Sequence, residues 1–144
     1  MALTVKRITL WRIEVENNPG VLANILGPLA GAGADLHVVM GYRYRGNENK
    51  AAIEVYPITG KKARTAAQGV GLSESTIPTL LAEGDNRSGL GYEIAKAIAD
   101  AGINVGFLVA QVIGRRYSAV IGFESDADLR SAAGLIKKAT GKKK

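Results

Sequence analysis

Apolar and polar positions change their spacing several times along the first half of the chain. Residues 8–15 alternate between the two kinds of side chain, which predicts a half-buried strand. Asn18-Pro19 indicates the start of a helix, because an asparagine side chain can cap it and proline suits its first turn. Apolar residues then recur at helical spacing until Ala32-Gly33-Ala34, whose glycine indicates the helix end. Pro28 lies inside this helix, where we expect a bend.

The rest of the first half predicts two strands, a second helix and a weak last strand. Residues 35–44 and 50–58 read as strands joined by a polar loop. Residues 61–69 have a helical composition, and residues 70–76 could form a fourth strand. The predicted order is therefore strand, helix, strand, strand, helix, strand.

The second half of the chain repeats the first at an offset of 69 residues. The segment Glu16-Asn17-Asn18-Pro19-Gly20-Val21 aligns with Asp85-Asn86-Arg87-Ser88-Gly89-Leu90. In the same register, Ala32-Gly33-Ala34-Asp35 aligns with Ala101-Gly102-Ile103-Asn104. Because turn, helix and helix stop agree in one register, we infer a duplication.

The second copy predicts the same elements except for the last strand. A strand, a helix, a hairpin and a closing helix follow one another at residues 77–83, Ser88–Asp100, 104–113 with 117–123, and Asp126–Lys138. The residues after Lys138 are polar and basic, so they predict no fourth strand. Residues 2–6 or another subunit could cover that edge, and an uncovered edge would favour oligomerisation.

This order of elements predicts an α+β protein made of two tandem ferredoxin-like βαββαβ units. Each unit would have an antiparallel sheet with its helices on one face. We expect the first domain at residues 1–75 and the second, with a basic tail, at residues 76–144. Many unrelated functions use this fold, so the fold alone predicts none of them.

The net charge of +6 is concentrated at the C-terminus. The last eight residues hold five lysines and no acidic residue, so residues 1–136 carry only +1. A frayed, solvated tail explains these charges better than an RNA or membrane site. No apolar run approaches the roughly 20 residues that span a bilayer. With no cysteine and no secretory-signal pattern at the N-terminus, we expect a cytoplasmic protein.

The sequence contains little that could catalyse a reaction or hold a metal. Its one histidine, His37, has no second histidine or cysteine at ligand spacing, which favours a structural position. No nucleophile elbow and no phosphate-binding loop with a following lysine is visible. Asp126 and Asp128 open a helix, where carboxylates favour the positive end of its dipole. We therefore expect no catalytic residues, no metal site and no cofactor.

The two repeated turns are the candidates for a binding site. Each joins a strand to a helix, and the N–H groups of a first helical turn have no intrahelical acceptor, so they attract anions. Gly20 and Gly89 would let a ligand approach the backbone. We also expect the strand after the helix to lie beside the first strand, which would bring Asn17 near Asp35 and Asn86 near Asn104. Such a pocket would suit a free amino acid, although Asn-Pro-Gly is also an ordinary turn.

Asn-Asn-Pro-Gly-Val-Leu, a helix, Ala-Gly-Ala-Asp and a hairpin together resemble the ACT domain, over about residues 8–138 as a tandem pair. The resemblance implies a regulatory module that binds an amino acid or similar small effector at domain interfaces and forms homodimers or larger oligomers. The chain contains no recognisable catalytic domain, so it would act on a partner enzyme. Copy two has Ser88 in place of the family's proline, and Asp35 replaces the usual asparagine, so one copy alone could keep a site.

The resemblance also implies which residues contact the ligand. They come from the two turns and from the start of the following strand: Asn17, Asn18, Pro19, Gly20, Val21, Asp35, Asn86, Arg87, Gly89, Leu90 and Asn104.

Three other functions remain open. An oligomerisation module that docks a partner enzyme needs no ligand. RNA binding requires exposed aromatic side chains on the sheet, for which Tyr42 and Tyr44 are the only candidates. An enzyme of acylphosphatase type shares the topology but needs a phosphate-binding loop that is not visible.

Overall fold

The computed structural model describes residues 3–141, which form two compact units. We name them the central unit, residues 9–76, and the composite unit, residues 3–8 with 77–141. Ala2 and the last three lysines of the predicted basic tail lie outside the described residues. The fold is α+β, with two antiparallel sheets and four helices among the described residues.

The central unit contains a four-stranded sheet and two helices. Along the chain its elements are β2 (Trp11–Glu16), α1 (Val21–Gly31), β3 (Val38–Tyr44), β4 (Asn47–Tyr56), α2 (Lys61–Gly69) and β5 (Ser73–Glu74). The strand order is β3-β4-β2-β5, and the strands pair antiparallel. The weak fourth strand expected within residues 70–76 is therefore present, with a length of two residues.

The composite unit combines an N-terminal strand with elements from the second half of the chain. Its elements are β1 (Thr4–Ile8), β6 (Thr79–Asp85), α3 (Leu90–Asp100), β7 (Val105–Ile113), β8 (Arg116–Phe123) and α4 (Asp126–Thr140). The strand order is β1-β6-β8-β7. Strand β1 is the edge strand beside β6, and it corresponds to β5, the edge strand beside β2 in the central sheet.

Strand β1 departs from the expected division into residues 1–75 and 76–144. Val5 pairs with Ala82 of β6, and no pairing of β1 with the central sheet is present among the described residues. The expectation that the N-terminal segment covers this free edge is confirmed for its described residues. Val5 and Ile8 of β1 are buried, whereas its threonine, lysine and arginine are exposed.

Each unit has its own hydrophobic core between its sheet and its helices. In the central unit, Trp11 of β2 and Val55 of β4 pack against Ile25 and Leu29 of α1. In the composite unit, Leu80 and Ile121 pack against Ile94 of α3 and Ile136 of α4 in the same way. Burial of one such side chain contributes about 1.5–3 kcal/mol, so these residues supply much of the driving force for folding.

Both helices that follow the repeated turns begin later than the sequence suggested. Helix α1 begins at Val21 and not at Pro19, and α3 begins at Leu90 and not at Ser88. The residues before them are Gly20 and Gly89, with φ of 87° and 88° and no side-chain cap. The expected cap at Asn18 is replaced by a turn, because Pro-Gly suits a type II turn better than a helix start. Pro28 lies inside α1, which continues to Gly31.

Candidate functional site

The turn before α1 presents the backbone of the first helical turn to solvent. The N–H of Val21 donates to the carbonyl oxygen of Asn18 at 3.2 Å, which closes a four-residue turn around Pro19 and Gly20. A φ of 87° with a ψ of −9° is the conformation that the third residue of a type II turn requires. Glycine adopts it without a steric penalty, and a Cβ at Gly20 would meet nothing within 4 Å.

A cavity of about 360 Å³ lies beside this turn, between the start of α1 and the strands β3 and β4. Its size is within the range of small-molecule sites. Its lining is mostly apolar and includes the amide of Asn17 and the guanidinium of Arg43: Asn17, Val21, Leu22, Gly41, Tyr42, Arg43, Ala51, Ala52 and Ile53. The sequence predicted Asn17 and Val21 of this set and missed the rest.

Asn17 is fixed at the edge of the cavity by the first residues of β4. Its backbone N–H donates to the carbonyl oxygen of Asn49 at 2.8 Å, and its side-chain Nδ2 donates to that of Glu48 at 2.9 Å. Both bonds use Asn17 as the donor, which leaves its side-chain carbonyl oxygen as an acceptor.

Arg43 supplies a positive charge at the same edge. Its Nη1 lies 3.8 Å from Oε2 of Glu48, and both side chains are mostly exposed. Such an ion pair contributes about 0–1 kcal/mol, so a ligand carboxylate can replace Glu48 at little cost.

Gly41 of β3 lies close to the side chain of Leu22 of α1 at the cavity. A Cβ built at Gly41 would lie 3.9 Å from Cδ1 of Leu22, so a larger side chain would project between the helix and the strand. A glycine inside a strand often marks such an approach, and this signal could have identified β3 as part of the site from the sequence.

Asp35 lies at the other end of α1, away from Asn17. Strands β2 and β3 both pair antiparallel with β4, so the end of β2 and the start of β3 lie at opposite ends of β4. The registers show this directly, because Glu16 pairs with Lys50 whereas Val38 pairs with Tyr56. The expectation that Asn17 and Asp35 share a pocket is therefore wrong.

A second hollow, of about 590 Å³, is lined by Asp35 and His37 together with the residues that begin α2. Nε2 of His37 lies 3.4 Å from Oδ2 of Asp35, and both side chains are exposed. Within residues 3–141, no group of three or more acidic, histidine or cysteine side chains is arranged to hold a metal. The same part of the chain has no helix with the length and apolarity needed to cross a membrane.

In the composite unit, the predicted site residues Asn86 and Asn104 also lie apart from each other. The N–H of Asn86 donates to the carbonyl oxygen of Arg115 just before β8, whereas Nδ2 of Asn104 donates to Oε1 of Glu124 just after it. The expected pairing of Asn86 with Asn104 is wrong for the same topological reason. Leu90 is 1% exposed and belongs to the core, so it is not accessible to a ligand.

Arg87 is engaged within the composite unit. Its Nη2 donates to Oε1 of Glu93 at 2.6 Å and to the carbonyl oxygen of Thr140 at 3.1 Å. It therefore ties the start of α3 to the end of α4. Gly89, in contrast, keeps the open surroundings and the left-handed conformation of its counterpart Gly20.

Tyr42 and Tyr44, the aromatic candidates for an RNA platform, are held by carboxylates on the helix-free face of the central sheet. The hydroxyl of Tyr42 donates to Glu54 and that of Tyr44 donates to Glu14, while Arg12 donates to Tyr44. Burial, followed by the hydrogen bond to Glu54, raises the pKa of Tyr42 to about 12. This network favours a structural role for the pair.

No protein-family model matches the chain, and no curated protein sequence matches it at a significant level. Solved structures, in contrast, match it over nearly its whole length. Protein BT0572 from Bacteroides thetaiotaomicron is 13% identical, with a TM-score of 0.73 over 89% of this chain and 87% of that one. The ligand-free regulatory subunit of aspartate kinase from Thermus thermophilus is 18% identical, with a TM-score of 0.60 over 96% and 99%.

A larger enzyme contains the same fold as one part. Aspartokinase III of E. coli, in complex with aspartate and ADP, is 12% identical, with a TM-score of 0.60 over 98% of this chain and 33% of that one. The identities are low, so these likenesses concern the fold. The resemblance to ACT-domain regulatory proteins is confirmed at that level.

Proposed function

We propose that the chain is a regulatory module without catalytic activity, composed of two ACT-like units, of which the central one has the order βαββαβ and the composite one takes β1 as its fourth strand. It binds a small carboxylate-bearing effector, such as a free amino acid, in the cavity beside α1. The cavity itself carries this proposal, since it joins an uncapped helix start to Asn17 and Arg43 over an apolar floor. The fold that the chain shares with a regulatory subunit of aspartate kinase supports it.

Each part of the cavity would contact a different part of the ligand. A carboxylate would accept hydrogen bonds from the N–H groups of Leu22 and Ala23 in the first turn of α1 and pair with Arg43. An ammonium group would donate to the side-chain oxygen of Asn17. An apolar side chain would pack on Val21, Leu22 and Ile53. This arrangement favours an amino acid with a small or medium apolar side chain.

Thermal unfolding in the presence of each common amino acid tests the proposal. One or a few should raise the melting temperature at millimolar concentration, because a ligand at 100 times its Kd stabilises the folded state by about 2.7 kcal/mol. Asn17→Ala should abolish the rise. Asn24→Ala, on the exposed surface of the same helix, is the matched control and should leave it unchanged. If no amino acid moves the transition of the wild-type chain, the proposal is wrong.

A second candidate function is an oligomerisation module that docks a partner enzyme, and strand β7 favours it. This edge strand has nine residues and no charged side chain, and several of its apolar side chains are exposed: Leu108, Val109, Val112 and Ile113. We include a homo-oligomer that pairs through β7 in the proposal. A stable oligomer with no response to any amino acid would favour this second function over the first.

A further inference from the structure

Ala51 and Tyr117 occupy equivalent places in the two units. Ala51 is the cross-strand partner of Val15, and Tyr117 is the cross-strand partner of Gly84, which aligns with Val15 at the 69-residue offset. The neighbouring hydrogen bonds agree, since Asn17 donates to Asn49 as Asn86 donates to Arg115. Each residue therefore lies at the same point beneath the helix that follows its turn.

The two residues leave different amounts of space there. Ala51 lines the cavity beside α1. The ring of Tyr117 lies in the core of the composite unit and is 6% exposed, with its hydroxyl 3.8 Å from the place of a Cβ on Gly91 in the first turn of α3. The side chain thus extends from β8 to the start of α3. In the central unit, the equivalent space is the cavity in which a ligand would lie.

Two glycines lie next to this ring, because Gly84 is the cross-strand partner of Tyr117 and the tyrosine hydroxyl approaches Gly91. At the offset of 69 residues, Gly84 aligns with Val15 of the central unit and Gly91 aligns with Leu22. The hydroxyl of Tyr117 is buried and has no hydrogen-bond partner in the structure, and burial raises its pKa.

We infer that Ala51 and Tyr117 determine which helix start is open to a ligand, so that, of the two repeated helix starts, the one in the central unit forms the effector site. The side chain of Tyr117 fills the space in the composite unit that corresponds to this site. The inference rests on the function proposed for the α1 cavity and adds its stoichiometry. It also identifies a single position in each unit that converts an open site into a closed one.

Titration with p-cresol, the molecule that corresponds to the tyrosine side chain, tests the inference without knowledge of the effector. Backbone amide NMR signals serve as the readout. In the wild-type chain p-cresol should shift the signals of residues 21–24 and leave those of residues 90–93 in place. Tyr117→Ala should make the signals of residues 90–93 respond as well. Ala51→Tyr should remove the response of residues 21–24.

Two further variants keep the result interpretable. Tyr117→Phe keeps the ring and should behave as the wild type does at residues 90–93. Phe123→Ala opens the same core at the far end of β8 and should leave residues 90–93 unresponsive. If Tyr117→Ala does not fold, Tyr117→Val makes the same test with a smaller opening, and Ala51→Tyr tests the other unit independently.

The inference is overturned if p-cresol already shifts residues 90–93 in the wild type. It is also overturned if the folded Tyr117 variants leave these residues unmoved, or if Ala51→Tyr keeps the response of residues 21–24. For any amino acid that stabilises the wild type, equilibrium dialysis should give one bound molecule per chain, two for Tyr117→Ala and none for Ala51→Tyr. Failure of every amino acid contradicts the proposed function, whereas the p-cresol pattern decides the present inference separately.

Discussion

The hydroxyl of Tyr42 donates a 2.7 Å hydrogen bond to Oε2 of Glu54, whose side chain lies on the helix-free face of the central sheet and is 1% exposed. A buried carboxylate that loses a hydrogen-bond donor remains desolvated without compensation. Tyr42 therefore links the edge of the candidate cavity to the most deeply buried acidic group among the described residues.

The raised pKa of Tyr42 predicts a loss of stability at alkaline pH. Tyrosine in the unfolded chain loses its proton near pH 10, whereas folded Tyr42 keeps it until about pH 12. Ionisation in this window favours the unfolded state, so the contribution is fully present below pH 10 and is lost as the pH rises to about 12. The free energy of unfolding, measured with urea and Trp11 fluorescence, should fall more steeply between pH 10 and about 12 for the wild type than for Tyr42→Phe. Equal slopes would contradict the assignment.

Gly20 and Gly134 should respond to alanine with opposite signs. Gly20 has a φ of 87° and open space around it, so Gly20→Ala imposes backbone strain alone, at about 1–2 kcal/mol. Gly134 lies inside α4, also in open space, and Gly134→Ala should stabilise the helix by about 0.5–1 kcal/mol. Urea unfolding monitored by circular dichroism measures the change in the free energy of unfolding for both variants. A neutral Gly20→Ala would argue against the turn.

Gly122 and Phe107 should show strong energetic coupling. The two residues are cross-strand partners, and a Cβ at Gly122 would lie 2.1 Å from a carbon of the Phe107 ring. Gly122→Ala should therefore destabilise the composite unit by about 1–3 kcal/mol, because the ring must leave its place. In the Phe107→Ala background the same change should cost far less, which a double-mutant cycle from circular-dichroism unfolding curves would measure. Additive effects would show that the ring does not pack on this glycine.

Strand β7 should mediate self-association. An uncharged edge strand is ready to pair with a second chain, and an inserted lysine opposes such pairing. Val109→Lys should shift sedimentation from an oligomer toward the monomer. Ala99→Lys adds the same charge on the exposed face of α3 and should not change the oligomeric state. A wild-type chain that sediments as a monomer at high concentration would exclude this interface.

Local patterns predicted most of the elements, because helix and strand spacing depends on near neighbours in the sequence. The start of α1 was missed because Pro-Gly forms a turn where a cap at Asn18 was expected. The position of Asp35 was missed because it depends on strand order, which spacing does not specify. The relation between Ala51 and Tyr117 requires the register of two hairpins, and the repeated turns give no sign of it.

Strand β1 has a consequence for the time course of synthesis. A ribosome produces Val5 long before its partner Ala82, with the whole of the central unit in between. The central unit is continuous in sequence, so it can fold while the nascent N-terminal segment has no strand to pair with. The composite sheet can form only after β6 has been synthesised. Until then β1 is unpaired, and it must not pair with the exposed edge of another sheet.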